Sequence, residues 1–188
     1  MSEPQSVAQG ASFDGAVTVA DAGVRGMVTL RADLTDAAVA QAVKAATGLP
    51  MPALRRIETA GDRAVAWMSP DEAMVFCPYG DAPALADTLT DALGDTHSLV
   101  ANVSDARAVF RLTREGVRQV LAKGTPADVS VAALPAGEMR RTRLGQVAVA
   151  FWLDDEETAH LVCFRSVGRF VWAWLQTASA PGSLPNYP

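Results

Sequence analysis

Histidine and cysteine are scarce in this chain, with two of each among 188 residues. That scarcity excludes most of the chemistry a protein of this size could carry. A nucleophile triad needs a base that titrates near neutral pH, and only His97 and His160 offer one. His97 follows Gly94-Asp95-Thr96 and reads as a turn residue, whereas His160 sits beside Leu161 in a predicted strand. No Gly-x-Ser-x-Gly elbow accompanies them. Zinc sites need clustered Cys and His ligands, and here these residues stand singly, so neither a catalytic nor a metal-binding set is read. Cys77 and Cys163 lie among apolar neighbours and read as two buried thiols, which suits a reducing, cytoplasmic setting.

Basic charge is also lacking. The formal net charge is −5, the wrong sign for a chain that holds nucleic acid or an anionic membrane by electrostatics. No apolar run is long enough to span a bilayer. Met1 to Ala11 show neither the basic start nor the apolar stretch of a secretory signal. Glycine-rich phosphate cradles are missing too: no Gly-x-Gly-x-x-Gly follows a strand. Lys123-Gly124-Thr125 has the letters of a phosphate loop in the wrong order and falls at a helix end, where the dipole disfavours an anion; Gly124 reads as a helix C-cap. No cofactor-binding residue is assigned to this chain.

Apolar residues, by contrast, are plentiful at 49%, against 20% charged. Trp67, Trp152, Trp172 and Trp174 are large groups that must be buried or met by a partner, and a subunit interface is the simplest outlet. The acidic run Asp154 to Glu157 lacks the spaced ligands of a calcium loop and reads as a hairpin turn. Asp71-Glu72, after Ser69-Pro70, reads as a turn that starts a strand, because adjacent strand residues point to opposite faces. Arg140, Arg141 and Arg143 form a small basic cluster that either grips a partner's carboxylate or lines a solvated strand face.

The order of elements predicts an α+β protein of two pseudo-repeated lobes with largely antiparallel sheets. Residues 1–26 read as an N-terminal arm, 27–103 as a first lobe, 104–179 as a second and 180–188 as a proline-rich tail. In the first lobe a strand over Met27 to Arg31 precedes a helix capped by Thr35, with Val39, Ala42, Val43 and Ala46 inward and Gly48 as its stop. Strands from Leu54, Arg63 and Ala73 follow, then a helix from Ala82 to Leu93. Ser98 to Val103 reads as a further strand that pairs back or links the halves. The second lobe repeats the order: a strand over Ala108 to Leu112, a helix capped by Thr113, three strands, and a last helix capped by Ser166. At helical pitch the last helix is read with Val167, Phe170, Val171, Trp174, Leu175 and Ala178 toward the core. Trp172 is placed on the other side with Arg169 and Gln176, and this face, together with Tyr187 in the tail, forms the candidate partner interface.

Three segments together resemble the gamma subunit family of heterotetrameric sarcosine oxidase. They are Met68-Ser69-Pro70-Asp71-Glu72, the stretch from Val103-Ser104-Asp105-Ala106-Arg107 through Lys123-Gly124 to Asp128, and Arg165-Ser166 through Trp172-Ala173-Trp174-Leu175. The resemblance implies a fold like the folate-binding domain of aminomethyltransferases. It also implies alpha, beta and delta partner subunits in an enzyme that oxidises sarcosine to glycine, yielding hydrogen peroxide and either formaldehyde or, with tetrahydrofolate, methylenetetrahydrofolate. On this resemblance FAD, FMN, NAD, zinc and tetrahydrofolate are held by other subunits, and the gamma chain is structural and non-catalytic. Two residues depart from the family pattern: Arg114 where a glycine is common, and Ala73 where a larger apolar residue is common. Both argue against a surviving folate pocket, and Asp105 is assigned a turn or cap role. The alternatives are a stand-alone folate-binding one-carbon transfer protein, with Asp105 as its motive, and a subunit of a related N-methyl amine demethylase.

Overall fold

Alternating burial sets the strands, and a three-to-four spacing of apolar residues sets the helices, in the computed structural model, which describes residues 3–185. In chain order, strands β1 (Ser12–Asp14), β2 (Thr18–Asp21) and β3 (Gly26–Arg31) lead into helix α1 (Ala37–Thr47). Strands β4 (Ile57–Ala60), β5 (Arg63–Ser69) and β6 (Glu72–Cys77) precede α2 (Ala82–Leu93) and β7 (Leu99–Asn102). The chain continues through β8 (Arg107–Thr113), α3 (Val117–Ala122), β9 (Met139–Leu144), β10 (Val147–Leu153), β11 (Thr158–Phe164) and α4 (Gly168–Ala178). Strand pairing among the described residues is antiparallel throughout. The chain forms two units, one from Arg25 to Ser104 and one that joins the residues up to Val24 with those from Asp105 onward.

The first unit, Arg25–Ser104, holds a five-stranded sheet in the order β4-β5-β6-β3-β7. One sheet face presents Val28, Leu30, Val65, Ala73, Val75 and Cys77 to α1 and α2, which answer with Val39, Ala42 and Val43 and with Leu85, Leu89 and Leu93. Each fully buried valine or leucine contributes about 1.5–3 kcal/mol relative to exposure. The N-cap of α1 is Asp36, not the expected Thr35: its carboxylate accepts the Ala38 amide at 2.8 Å. Thr35 is engaged one step earlier, donating its hydroxyl and amide to Asp33 at 2.6 and 2.9 Å. Gly48 closes the helix at φ 77°, a left-handed conformation that glycine adopts without Cβ strain. The strand expected from Leu54 starts later, because Arg55 is left-handed at φ 59° and breaks the extension. β7 pairs back onto β3, with Thr29 opposite Ala101.

The second unit corrects the reading of an N-terminal arm. Its six-stranded sheet runs β1-β2-β8-β11-β10-β9, so the first residues supply an edge strand and its neighbour. Burial holds them there: Val17 and Val19 are fully buried in the core formed by Phe110, Leu112, Phe151, Leu153 and Leu161 with α3 and α4. Hydrogen bonding adds to it, since Asp21 accepts the Ala8 amide at 2.7 Å and the Ala16 amide donates to the Ser179 carbonyl at 2.7 Å. A side chain at Gly15 would stand 2.0 Å from that same carbonyl, so the close approach requires glycine.

Three helix-end expectations also change here. Thr113 is the last residue of β8 and does not cap α3; the chain turns through Arg114 and Gly116, both at positive φ, before the helix begins. Ser166 lies in a single 3-10 turn, Arg165–Val167, ahead of α4, whose N-cap position is Val167 with no side-chain cap. Lys123 occupies the C-cap of α3, and Gly124 serves packing: a Cβ there would meet the Trp174 ring at 2.4 Å. The tail from Ala180 is described as far as Pro185, and Leu184 packs against the core of this unit.

Candidate functional site

The two histidines lie in different units. His97 is exposed, in an open groove of about 680 Å³ lined also by Arg31, Asp33, Asp71 and Leu99. Within that groove Arg31 is shared between Asp71 at 3.0 Å and Glu72 at 3.2 Å, and Glu72 accepts the Thr29 hydroxyl at 3.1 Å. Asp71 thus closes the turn and Glu72 starts β6, as read, and both are tied to a cation rather than poised as an acid–base pair. His160 faces its cross-strand neighbour Trp152, ring on ring at 4.9 Å and 12°. Both rings hydrogen-bond Asp154: His160 Nε2 lies 2.8 Å from Oδ2, and the Trp152 indole donates to Oδ1 at 3.1 Å. The His160 hydrogen bond is the main force holding the Asp154 carboxyl below the usual carboxylate range. This cluster was absent from the sequence reading, although folding the hairpin symmetrically about Glu156 places residue 152 opposite residue 160.

The rest of the acidic run is divided between turn and ion pair. Asp155 accepts the Glu157 amide at 2.8 Å, and Glu156 pairs with Arg118 at 3.0 Å. Arg118 also donates to the carbonyls of Val129 and Leu134 at 2.8 and 2.9 Å, so one guanidinium fastens the loop that follows α3. Lys123 is likewise structural: its ammonium donates to the Ala178 carbonyl at 2.6 Å, and burial lowers its pKa. Burial pushes the Cys163 thiol up to about 12 and raises Cys77 as well, so both are inert thiols at neutral pH. Among the described residues, no three His, Cys, Asp or Glu side chains gather in a way that could hold a metal ion.

The proposed interface on α4 needs a correction. Gly168, Val171, Leu175 and Ala178 are the buried positions, and Trp172 follows Gly168 by four residues and precedes Leu175 by three. It therefore lies on the buried side, packs against the core and stacks on Phe110 with centroids 5.8 Å apart. Phe170, expected inward, is 51% exposed. The outward face is Arg169, Phe170, Ala173 and Thr177, with Gln176 half-buried beside it. Tyr187 lies outside the described residues.

The basic cluster splits by strand alternation. Arg140 turns toward the helix side, where it pairs with Glu138 and donates to the Ala133 carbonyl. Arg141 and Arg143 point to the opposite face of β9, an edge strand, and both are exposed.

Antiparallel sheets with attached helices define a mixed α/β class, and known structures place the chain within it. Aminomethyltransferase T of the glycine cleavage system from Bartonella henselae shares the fold at a TM-score of 0.61 and 11% identity, over 84% of this chain and 44% of that one. One chain of the heterotetrameric sarcosine oxidase from Corynebacterium sp. U-96, solved in complex with pyrrole 2-carboxylate, superposes with a TM-score of 0.82 and 27% identity, covering 94% of this chain and 91% of that one. Residues 31–181 match the sarcosine oxidase, gamma subunit family, and the chain belongs to that family. It is 33% identical to the sarcosine oxidase subunit gamma of Corynebacterium sp. strain U-96 over 71% of this chain and 65% of the relative's length. With the Arthrobacter subunit gamma it shares 31% identity over 84% of this chain and 77% of the relative. No helix among the described residues is long and apolar enough to cross a membrane.

Proposed function

We propose that this chain is the structural gamma subunit of a heterotetrameric sarcosine oxidase, assembling with alpha, beta and delta chains in the cytoplasm. The observation that carries the reading is the family match over residues 31–181, together with near full-length superposition on a chain of the Corynebacterium enzyme. The complex oxidises sarcosine to glycine, with hydrogen peroxide and either formaldehyde or methylenetetrahydrofolate as the other products. FAD, FMN, NAD, zinc and tetrahydrofolate are held by the other subunits. The polar groups described above fit this role, because Arg31, Arg118, Arg140, Lys123 and His160 are spent on ion pairs and backbone carbonyls of their own units.

The finer fold reading belongs to the same proposal: the two units repeat one plan, that of an aminomethyltransferase folate-binding domain. Its support is the strand order, β4-β5-β6-β3 in one unit and β9-β10-β11-β8 in the other, each with one helix after its first strand and one after its last. Co-expression with the alpha, beta and delta chains tests the function. A single co-purifying complex is the expected result, whereas a chain that elutes alone beside an assembled, active remainder would overturn it.

A further inference from the structure

Charged side chains on an edge strand keep it from accepting another strand, and three of the four sheet edges among the described residues have them. β9 carries Arg140, Arg141 and Arg143, β1 ends at Asp14, and β4 contains Glu58. The fourth, β7, reads Leu99-Val100-Ala101-Asn102, with neither a charge nor a proline. Leu99 is 53% exposed and Asn102 is exposed as well. Register shows which backbone groups the edge offers. The Val103 amide donates to the Met27 carbonyl at 2.8 Å, so in an antiparallel ladder residues 99, 101 and 103 exchange hydrogen bonds with β3. Val100 and Asn102 therefore turn their N–H and C=O groups away from β3. The other side of β3 agrees, since the Ala32 amide donates to the Asp71 carbonyl at 3.2 Å and commits its even-numbered residues to β6.

The second unit shows what such a position takes. Its order β9-β10-β11-β8-β2-β1 sets β2 beside β8 as β7 is set beside β3, antiparallel in both cases. There β2 is covered by the three-residue β1, with Phe13 opposite Val19. The first unit's sheet stops one strand short, at β7. Charge defines what fits the vacant place. No lysine or arginine occurs between Arg63 and Arg107, whereas Asp87 and Asp91 of α2 and Asp95 in the turn into β7 are all exposed. α2 packs over β3 and β7. On β3 the cation opposite Leu99 is Arg31, which is shared by Asp71 and Glu72. A second copy of this chain would bring like charges together, which costs binding energy, and a cationic segment would not.

We propose that the open edge of β7 takes, as an added antiparallel strand, an extended segment of a partner subunit that carries lysine or arginine. The inference rests on the subunit reading and the repeat described above, and names the surface they leave open. Main-chain hydrogen bonds to Val100 and Asn102 hold the segment, and the carboxylates around β7 select its charge.

The test uses the co-expressed complex, captured through a tag on a partner subunit and washed at about physiological ionic strength, with this chain quantified against its total soluble amount. Val100→Pro removes an outward N–H and no hydrogen bond to β3. Leu99→Lys sets a cation on the edge at an exposed site, independent of the core contacts of Val100. Each is expected to lower retention about tenfold or more, as for interface hot spots. Thr59→Pro is the control: the Trp67 amide donates to the Arg56 carbonyl at 3.0 Å, so Thr59 also turns its N–H outward, at the opposite edge of the same sheet. It should be retained like the wild type. Wild-type retention of both β7 variants overturns the proposal, as does an equal loss with Thr59→Pro. A dimer of the chain expressed alone that Val100→Pro dissolves would overturn it too, by making a second copy the occupant. If the wild-type chain itself is not captured, the subunit reading falls, and the added strand with it.

Discussion

The two units build similar layers by different means. In Arg25–Ser104 the core is aliphatic, and its helices, α1 and α2, are 11 and 12 residues long with a regular apolar stripe. In the second unit α3 has only 6 residues, and its core relies on Phe110, Phe151 and Trp172 and on strands from the far end of the chain. The first unit follows from short-range rules, since capping, pitch and turn residues lie within a few positions of what they control. The second is specified by contacts distant in sequence: β2 on β8, Lys123 on Ala178, Arg118 on Leu134.

Removing residues 1–24 should break this contrast most severely. Val17 and Val19 are each worth about 1.5–3 kcal/mol when fully buried, and the loss of β2 also leaves β8 as an open edge. The second unit is expected to lose hydrogen-exchange protection along β8 while β3 and β6 of the first unit keep theirs; uniform protection in both would show that the N-terminal strands are dispensable.

A smaller effect is expected within α4. Trp172→Ala removes a partly buried ring stacked on Phe110 and should cost about 2–4 kcal/mol, toward the lower part of the range for large aromatic truncations. Phe170→Ala should stay within about 0.5 kcal/mol, as exposed positions do. Chemical denaturation of both variants checks the assignment, and equal losses would contradict the facing described here.

The smallest effect belongs to the first unit. Asp36→Ala removes the N-cap of α1 and should cost about 1 kcal/mol, whereas Thr35→Ala, which spares that bond, should cost less. A melt that ranks Thr35 above Asp36 would restore the cap read from sequence alone.

Much of the architecture was legible before the structure because its signals are local. The strands over Met27 to Arg31 and Arg63 to Met68, the stripe of Leu85, Leu89 and Leu93, and the stop at Gly48 all lie where periodicity and turn chemistry put them. What escaped was long-range or rotational. The stretch before Val24 lacks a strong period and becomes sheet only because β8 offers an edge. Trp172 sits inward because its spacing from Gly168 and Leu175 sets the rotation of α4, a rotation that pitch counted from Val167 misjudges. Capping by Thr113 and Ser166 failed because positive-φ residues and a 3-10 turn intervene before each helix.

The pairing of Thr18 with Thr113 sets an order of events during synthesis. Arg25–Ser104 is continuous in sequence and can close its sheet as soon as β7 has left the ribosome. By then β2 has already been translated, yet Val17 and Val19 have nowhere to dock until β8 follows. At about 5–20 residues per second, the nascent chain carries an unmatched apolar strand for several seconds, so an early-made strand waits on a partner made about ninety residues later, a natural point for a chaperone to hold it.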